Sequence, residues 1–153
     1  MTRNIALANR IREVLLNGYW IANTNYKQEI QNTTWQQAVH KIGSLNTIAA
    51  LTYHINYYLA GLLFAFKYGK LEISDKYSFD LPTDFAETDW IQLITAFLNN
   101  AEKFASHVEQ MDDSLFDKAF IHEKYGNYLR NIEGVIEHSY YHLGQIVLIK
   151  KMI

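Results

Sequence analysis

A single proline, Pro82, and seven glycines are the only strong helix breakers in this 153-residue chain. Apolar residues return every three or four positions through four long segments, which is the helical period. No stretch shows convincing strand alternation, and no internal repeat is present. The expectation is an all-α fold in one domain spanning residues 1–153. A first helix is expected from about Thr2, as N-cap, to about Asn23, with Leu7, Ile11, Val14, Leu15 and Tyr19 facing inward. A short helical turn is expected at Trp35-Gln-Gln-Ala-Val. A second long helix is expected from Ser44 to Tyr68, stopped by Gly69. A third runs from Glu87 to Gln110, with Ile91, Ile94, Phe97, Leu98, Ala101 and Phe104 inward. A fourth runs from Gly126 to Lys151 and ends on Lys150 and Lys151, which favour the negative helix pole. Four helices of this length make a four-helix bundle. The long connections from Lys70 to Ala86 and from Asp113 to Lys124 point to overhand crossovers rather than hairpins.

The second helix carries an unusual stretch. From Ile42 to Phe66 there is no Asp, Glu, Lys or Arg, and that length could span a bilayer. Its middle, Thr52-Tyr53-His54-Ile55-Asn56-Tyr57-Tyr58, would place polar groups at the hydrocarbon midplane, where they are costly without partners. A helix buried by its own bundle on one side and by a second subunit on another is the better expectation, so no membrane span and a homodimer are expected.

Charge and composition exclude other classes. The formal net charge is −2, and no basic stripe offers a surface for nucleic acid. Absence of cysteine removes disulfides, thiolate zinc sites and a protein thiol nucleophile. No apolar run of signal-peptide length precedes Arg10 and Arg12, and together these features fit a cytoplasmic protein.

The chemistry-bearing motif lies in the last helix, at His138-Ser-Tyr-Tyr-His142-Leu-Gly-Gln145. Two imidazoles four residues apart share a helix face and can hold one divalent metal. Such a pair also arises readily by chance among six histidines, and on the pair alone two rings filling a polar notch are the better explanation. The face continues through Val135, Gln145 and Ile149, so both rings are expected to point inward. On the second helix, Thr47, Leu51, His54, Tyr58 and Leu62 form a stripe of the same spacing. His54 is then either a hydrogen-bonded core residue or a third ligand. Burying unpaired imidazoles is costly, and a shared metal satisfies all three.

With His54 midway along the second helix and His138-x-x-x-His142-x-Gly144-Gln145 in the fourth, the chain resembles the DinB-like superfamily of metal-dependent enzymes, which includes the YfiT-like proteins. The resemblance covers essentially the whole chain. It implies a four-helix bundle with a divalent metal on His54, His138 and His142. Family members often carry Arg before the Gly-Gln pair; Leu143 stands there in this chain.

Three imidazoles leave coordination positions open, as catalytic sites do. Imidazole suits zinc, nickel, iron or cobalt, and the resemblance favours zinc or nickel. It further implies a thiol-dependent S-transferase or isomerase, of which the first, using a low-molecular-weight thiol to attack a small-molecule electrophile, is the expectation. A metal-dependent hydrolase and a non-catalytic, metal-binding dimeric bundle are the alternatives. Gln145, one turn past His142, could orient a ligand or bind substrate. Tyr58 and Tyr141 are candidates for substrate contact or for packing. Asp75, Lys76 and Asp80 could line the mouth of the site. Glu137 is expected to face away, and His40, His107 and His122 to lie on the surface.

Overall fold

The computed structural model describes all residues, 1–153, as an all-α protein with six helices and no strand; one isolated bridge joins Ala119 and Asn127. The helices are α1 (Arg3–Arg12), α2 (Tyr26–Gln31), α3 (Trp35–Ala38), α4 (Ile48–Tyr68), α5 (Glu87–Glu109) and α6 (Tyr128–Met152). α1 packs on α5, α5 on α4, α4 on α6 and α6 on α1, which closes a ring around the core. α2 and α3 lie across one end. Their attachment is specific: the buried Trp90 indole N–H donates to the Thr33 carbonyl at 3.0 Å, and Trp35 donates to the Phe85 carbonyl at 3.2 Å.

Local chemistry sets the helix ends. The Thr47 hydroxyl accepts from the Ala50 N–H at 3.1 Å, so α4 begins at Ile48 rather than at Ser44. Gly69 ends it in the left-handed region, as expected, with its N–H on the Ala65 carbonyl at 2.8 Å. The Asn127 side chain accepts from the Arg130 N–H at 2.8 Å and starts α6. The α5 turn opens with Glu87 and Asp89, whose charges suit a helix N-terminus.

Two further sequence expectations are corrected. The first helix does not reach Asn23. Its α-helical part stops at Arg12, a π-helical turn follows over Glu13–Asn17, and Gly18 is extended. A Cβ on Gly18 would stand 2.6 Å from the Glu13 Cα, a close approach that only glycine allows. The Asn25 side chain holds this break by donating to the Gly18 carbonyl while capping α2. Tyr19 therefore leaves the helix and is 56% exposed instead of facing the core. In α5, Ile91 points outward, because Trp90, Leu93, Phe97, Ala101, Phe104 and Val108 form the buried stripe. The Trp90–Thr33 bond fixes that rotation.

α4 is the one helix long and apolar enough to cross a membrane, and more than half of its most apolar window is buried inside the protein. Its exposed residues are Ala60, Phe64, Lys67 and Tyr68. Most of its uncharged surface is thus covered by the chain itself.

The crossover after α4 is seated on that helix by a second close approach. A Cβ on Gly61 would meet Ile73 Cγ2 at 2.2 Å, so the bare glycine backbone is where the Ile73 side chain rests. Gly61→Val should lower unfolding free energy by about 1–3 kcal/mol through overpacking. Adding Ile73→Ala should recover part of that loss in urea denaturation, and a purely additive double variant would show that the contact is not the cause.

Candidate metal centre

α4 and α6 are packed neighbours, and this pairing brings together the three histidines expected as ligands. His138 and His142 stand one turn apart on α6 and face His54 in the second turn of α4. The His138 Nε2 lies 3.1 Å from the His54 Nε2 and 2.9 Å from the His142 Nε2. One donor nitrogen from each ring falls within 4.8 Å of the others, and the group could hold a metal ion. His54 and His142 are buried, at 6% and 7% exposure, while His138 is half-buried and borders a cleft.

The rings are held from behind. The His54 Nδ1–H donates to the Ser78 carbonyl at 3.2 Å, and Phe79 stacks on the same ring with centroids 3.9 Å apart and planes 9° from parallel. The His142 Nδ1–H donates to the Gln145 Oε1 at 2.6 Å. These partners assign the proton to Nδ1 and turn the Nε2 lone pairs toward the centre. Outer partners of this kind usually orient imidazole ligands.

The donor set fits a divalent ion. Two lone pairs, on His54 and His142, converge on one His138 nitrogen, which can offer at most one N–H when neutral. A shared cation satisfies all three inward Nε2 atoms at once. Imidazole nitrogens about 2.0–2.1 Å from one ion stand about 2.8–3.4 Å apart at right-angled to tetrahedral spacing, which brackets both short separations.

Electrostatics keep the rings neutral near pH 7. Burial lowers the His54 pKa to about 4, with repulsion from protonated His138 and His142 adding to it. Burial also lowers His138, aided by His142 and opposed by Asp75. It lowers His142 against the opposing Gln145 hydrogen bond. Tyr58 sits edge-on to His54 and His138, with centroids 5.1 and 5.5 Å away. Its hydroxyl donates to the Asp75 Oδ1 at 2.5 Å, and burial followed by this bond pushes its pKa up to about 12.

The other candidates divide. Gln145 and Tyr58 reach the histidine cluster, and Asp75 reaches it through Tyr58. Tyr141 touches His142 edge-on at 4.9 Å but is 66% exposed. Lys76 lies over the Tyr77 ring, and the Asp80 charge acts on Tyr53 instead. Glu137 faces away and pairs with Arg130 at 2.8 Å. His40 is exposed, His107 stacks on Phe66, and the His122 ring accepts from the Lys124 N–H. Leu143 is buried in the core at 1% exposure.

Ser78 and Phe79 were not among the expected site residues. They lie in an aperiodic crossover, and a carbonyl partner has no residue signature. A cleft of about 720 Å³ opens beside the cluster between α4, the crossover and α6; His138, Tyr58 and Asp75 line it at the histidine side. Its volume is typical of small-molecule sites. Comparison with protein-family models, curated proteins and solved structures found no match.

Lowered histidine pKa values carry a pH signature. The unfolded chain binds more protons than the folded one between the ordinary histidine value and the depressed ones. The stability contributed by the neutral cluster is therefore complete above pH 6.5 and is lost as pH falls towards 4. In EDTA-treated protein, the melting temperature of the wild type should fall more steeply across this window than that of His54→Gln. Equal slopes would show that the ring is not buried in its neutral form.

Proposed function

We propose that this chain is a DinB-like, divalent-metal-dependent enzyme whose ring of packed helices is the four-helix bundle of that family. Its proposed reaction is transfer of a low-molecular-weight thiol to a small electrophile, in the cytoplasm. The observation that carries this reading is the convergence of the His54, His138 and His142 Nε2 atoms beside a cleft. The Nδ1 atoms of His54 and His142 are already engaged by Ser78 and Gln145.

Zinc or nickel, with iron or cobalt as further candidates, would supply Lewis acidity that makes a small thiol nucleophilic near neutral pH. The chain's own residues supply position and proton handling. Ser78, Phe79 and Gln145 fix the ligand rings, which stay neutral and able to coordinate. Asp75 is the one carboxylate in the cleft lining, and Tyr58 holds one of its oxygens. Its free Oδ2 can take the proton that the thiol S–H gives up. The sulfur then forms its bond to the electrophilic carbon as the leaving group departs with the electron pair of the broken bond. The chain has no cysteine, so the sulfur comes from the cosubstrate.

Hydrolysis is the second version of the same chemistry, with water in place of the thiol in the polar cleft. The third reading, a non-catalytic metal-binding dimer, would use the exposed remnant of α4 at Phe64 and Tyr68. A monomer at micromolar concentration by light scattering removes the dimer from all three.

Protein purified without a His tag should contain close to one equivalent of divalent metal. His138→Ala should remove it, and an unaltered melting temperature would favour a catalytic over a structural metal. Gln145→Ala should weaken metal affinity about 10–100-fold, as loss of an orienting partner does. Electrophile consumption, screened with several thiols and metals, should depend on both. A metal-free wild type under non-chelating conditions would overturn the proposal.

A further inference from the structure

The cleft beside the cluster has a definite shape and one charge of each sign in its lining. Along α6 it runs from His138 back past Gly134 to Arg130, eight residues and so about 12 Å of helix. Leu62, Leu71, Ile73 and Val135 make its apolar walls. Asp75 is the only carboxylate in the lining and lies with the histidines. Arg130 is the only cation, rooted at the far end with its guanidinium reaching back toward Glu137. Arg130 gives its Nη1 to Glu137, and the rest of its guanidinium fork remains available to an anion.

Gly134 is the floor. Glycine in the middle of a helix costs about 1 kcal/mol relative to alanine, and packing does not explain this one. A Cβ built there meets nothing within 4 Å. This contrasts with Gly61, whose missing side chain makes room for Ile73. At Gly134 the missing side chain makes room in the cleft itself.

We infer that this cleft is the binding site for an elongated substrate or cosubstrate with an apolar middle and a terminal carboxylate, which Gly134 admits and Arg130 anchors. The reacting end then lies at His138. The assignment rests on the proposed function for the role of that end, but the cleft and its anion anchor stand without a metal.

The test uses 8-mercaptooctanoate and its neutral counterpart 8-mercaptooctanol, titrated calorimetrically into zinc-loaded protein, and octanoate titrated into EDTA-treated protein. The acid should bind about fivefold or more tighter than the alcohol, as expected for a charge-assisted hydrogen bond at a partly exposed site. Arg130→Gln should abolish that preference with zinc content unchanged. Gly134→Leu should weaken both thiols at least about tenfold without lowering the melting temperature, and Gly134→Ala should have a smaller effect in the same direction. Octanoate should bind metal-free wild type and not Gly134→Leu. This arm separates the two readings: octanoate binding in a protein that takes up no zinc would sink the metal centre and leave the cleft standing. Equal affinity for acid and alcohol, or thiol affinities unmoved by Gly134→Leu, would overturn the inference.

Discussion

Three neutral imidazoles packed edge to edge inside a helical core are the constraint around which this protein is arranged. Polar rings withdrawn from water must have partners, and the chain provides them from both sides. The Ser78 carbonyl and the Gln145 amide occupy the outer nitrogens of His54 and His142, and the inner nitrogens of all three rings face one another. Each element near the site follows from that requirement. α4 and α6 must pack closely enough for the rings to meet. The crossover must return to α4 to place Ser78 and Phe79, and Gly61 lets it settle there.

The arrangement divides labour between a rigid side and an open side. The apolar faces of α4 and α6 supply rigidity, because His54 and His142 are embedded among fully buried neighbours such as Leu51, Ile55, Leu143 and Ile146. His138 is the ring left partly accessible, and the cleft begins at it. A site that is tightly braced behind and open in front suits chemistry on a small molecule better than it suits a purely structural ion, whose ligands usually close around it.

Long periodic segments were legible in the sequence because a helix buries one face and repeats it. α4, α5 and α6 were therefore expected within a few residues of their observed limits. His54, His138 and His142 were legible for the same reason, since each sits on a core-facing stripe. The misses share a different origin. Tyr19 continues the helical spacing of α1, but the Gly18–Glu13 contact and the Asn25 side chain break the helix before it. Ile91 fits an inward stripe as well as Trp90 does, and only the indole bond to Thr33 across the protein decides between them. Ser78, Phe79 and the cleft floor at Gly134 depend on how aperiodic loops return to the helices, which spacing along the chain does not encode.

His54 and His138 are 84 residues apart in the chain. Any ion gripped by both rings is therefore a staple across more than half of the chain. The entropy lost on closing a chain segment grows only logarithmically with its length, so a long span is where such a staple restricts the denatured ensemble most. Loading the centre would stiffen the union of α4, the crossover and α6 as a single unit, and losing the ion would release that union before the α1–α5 side of the molecule is disturbed.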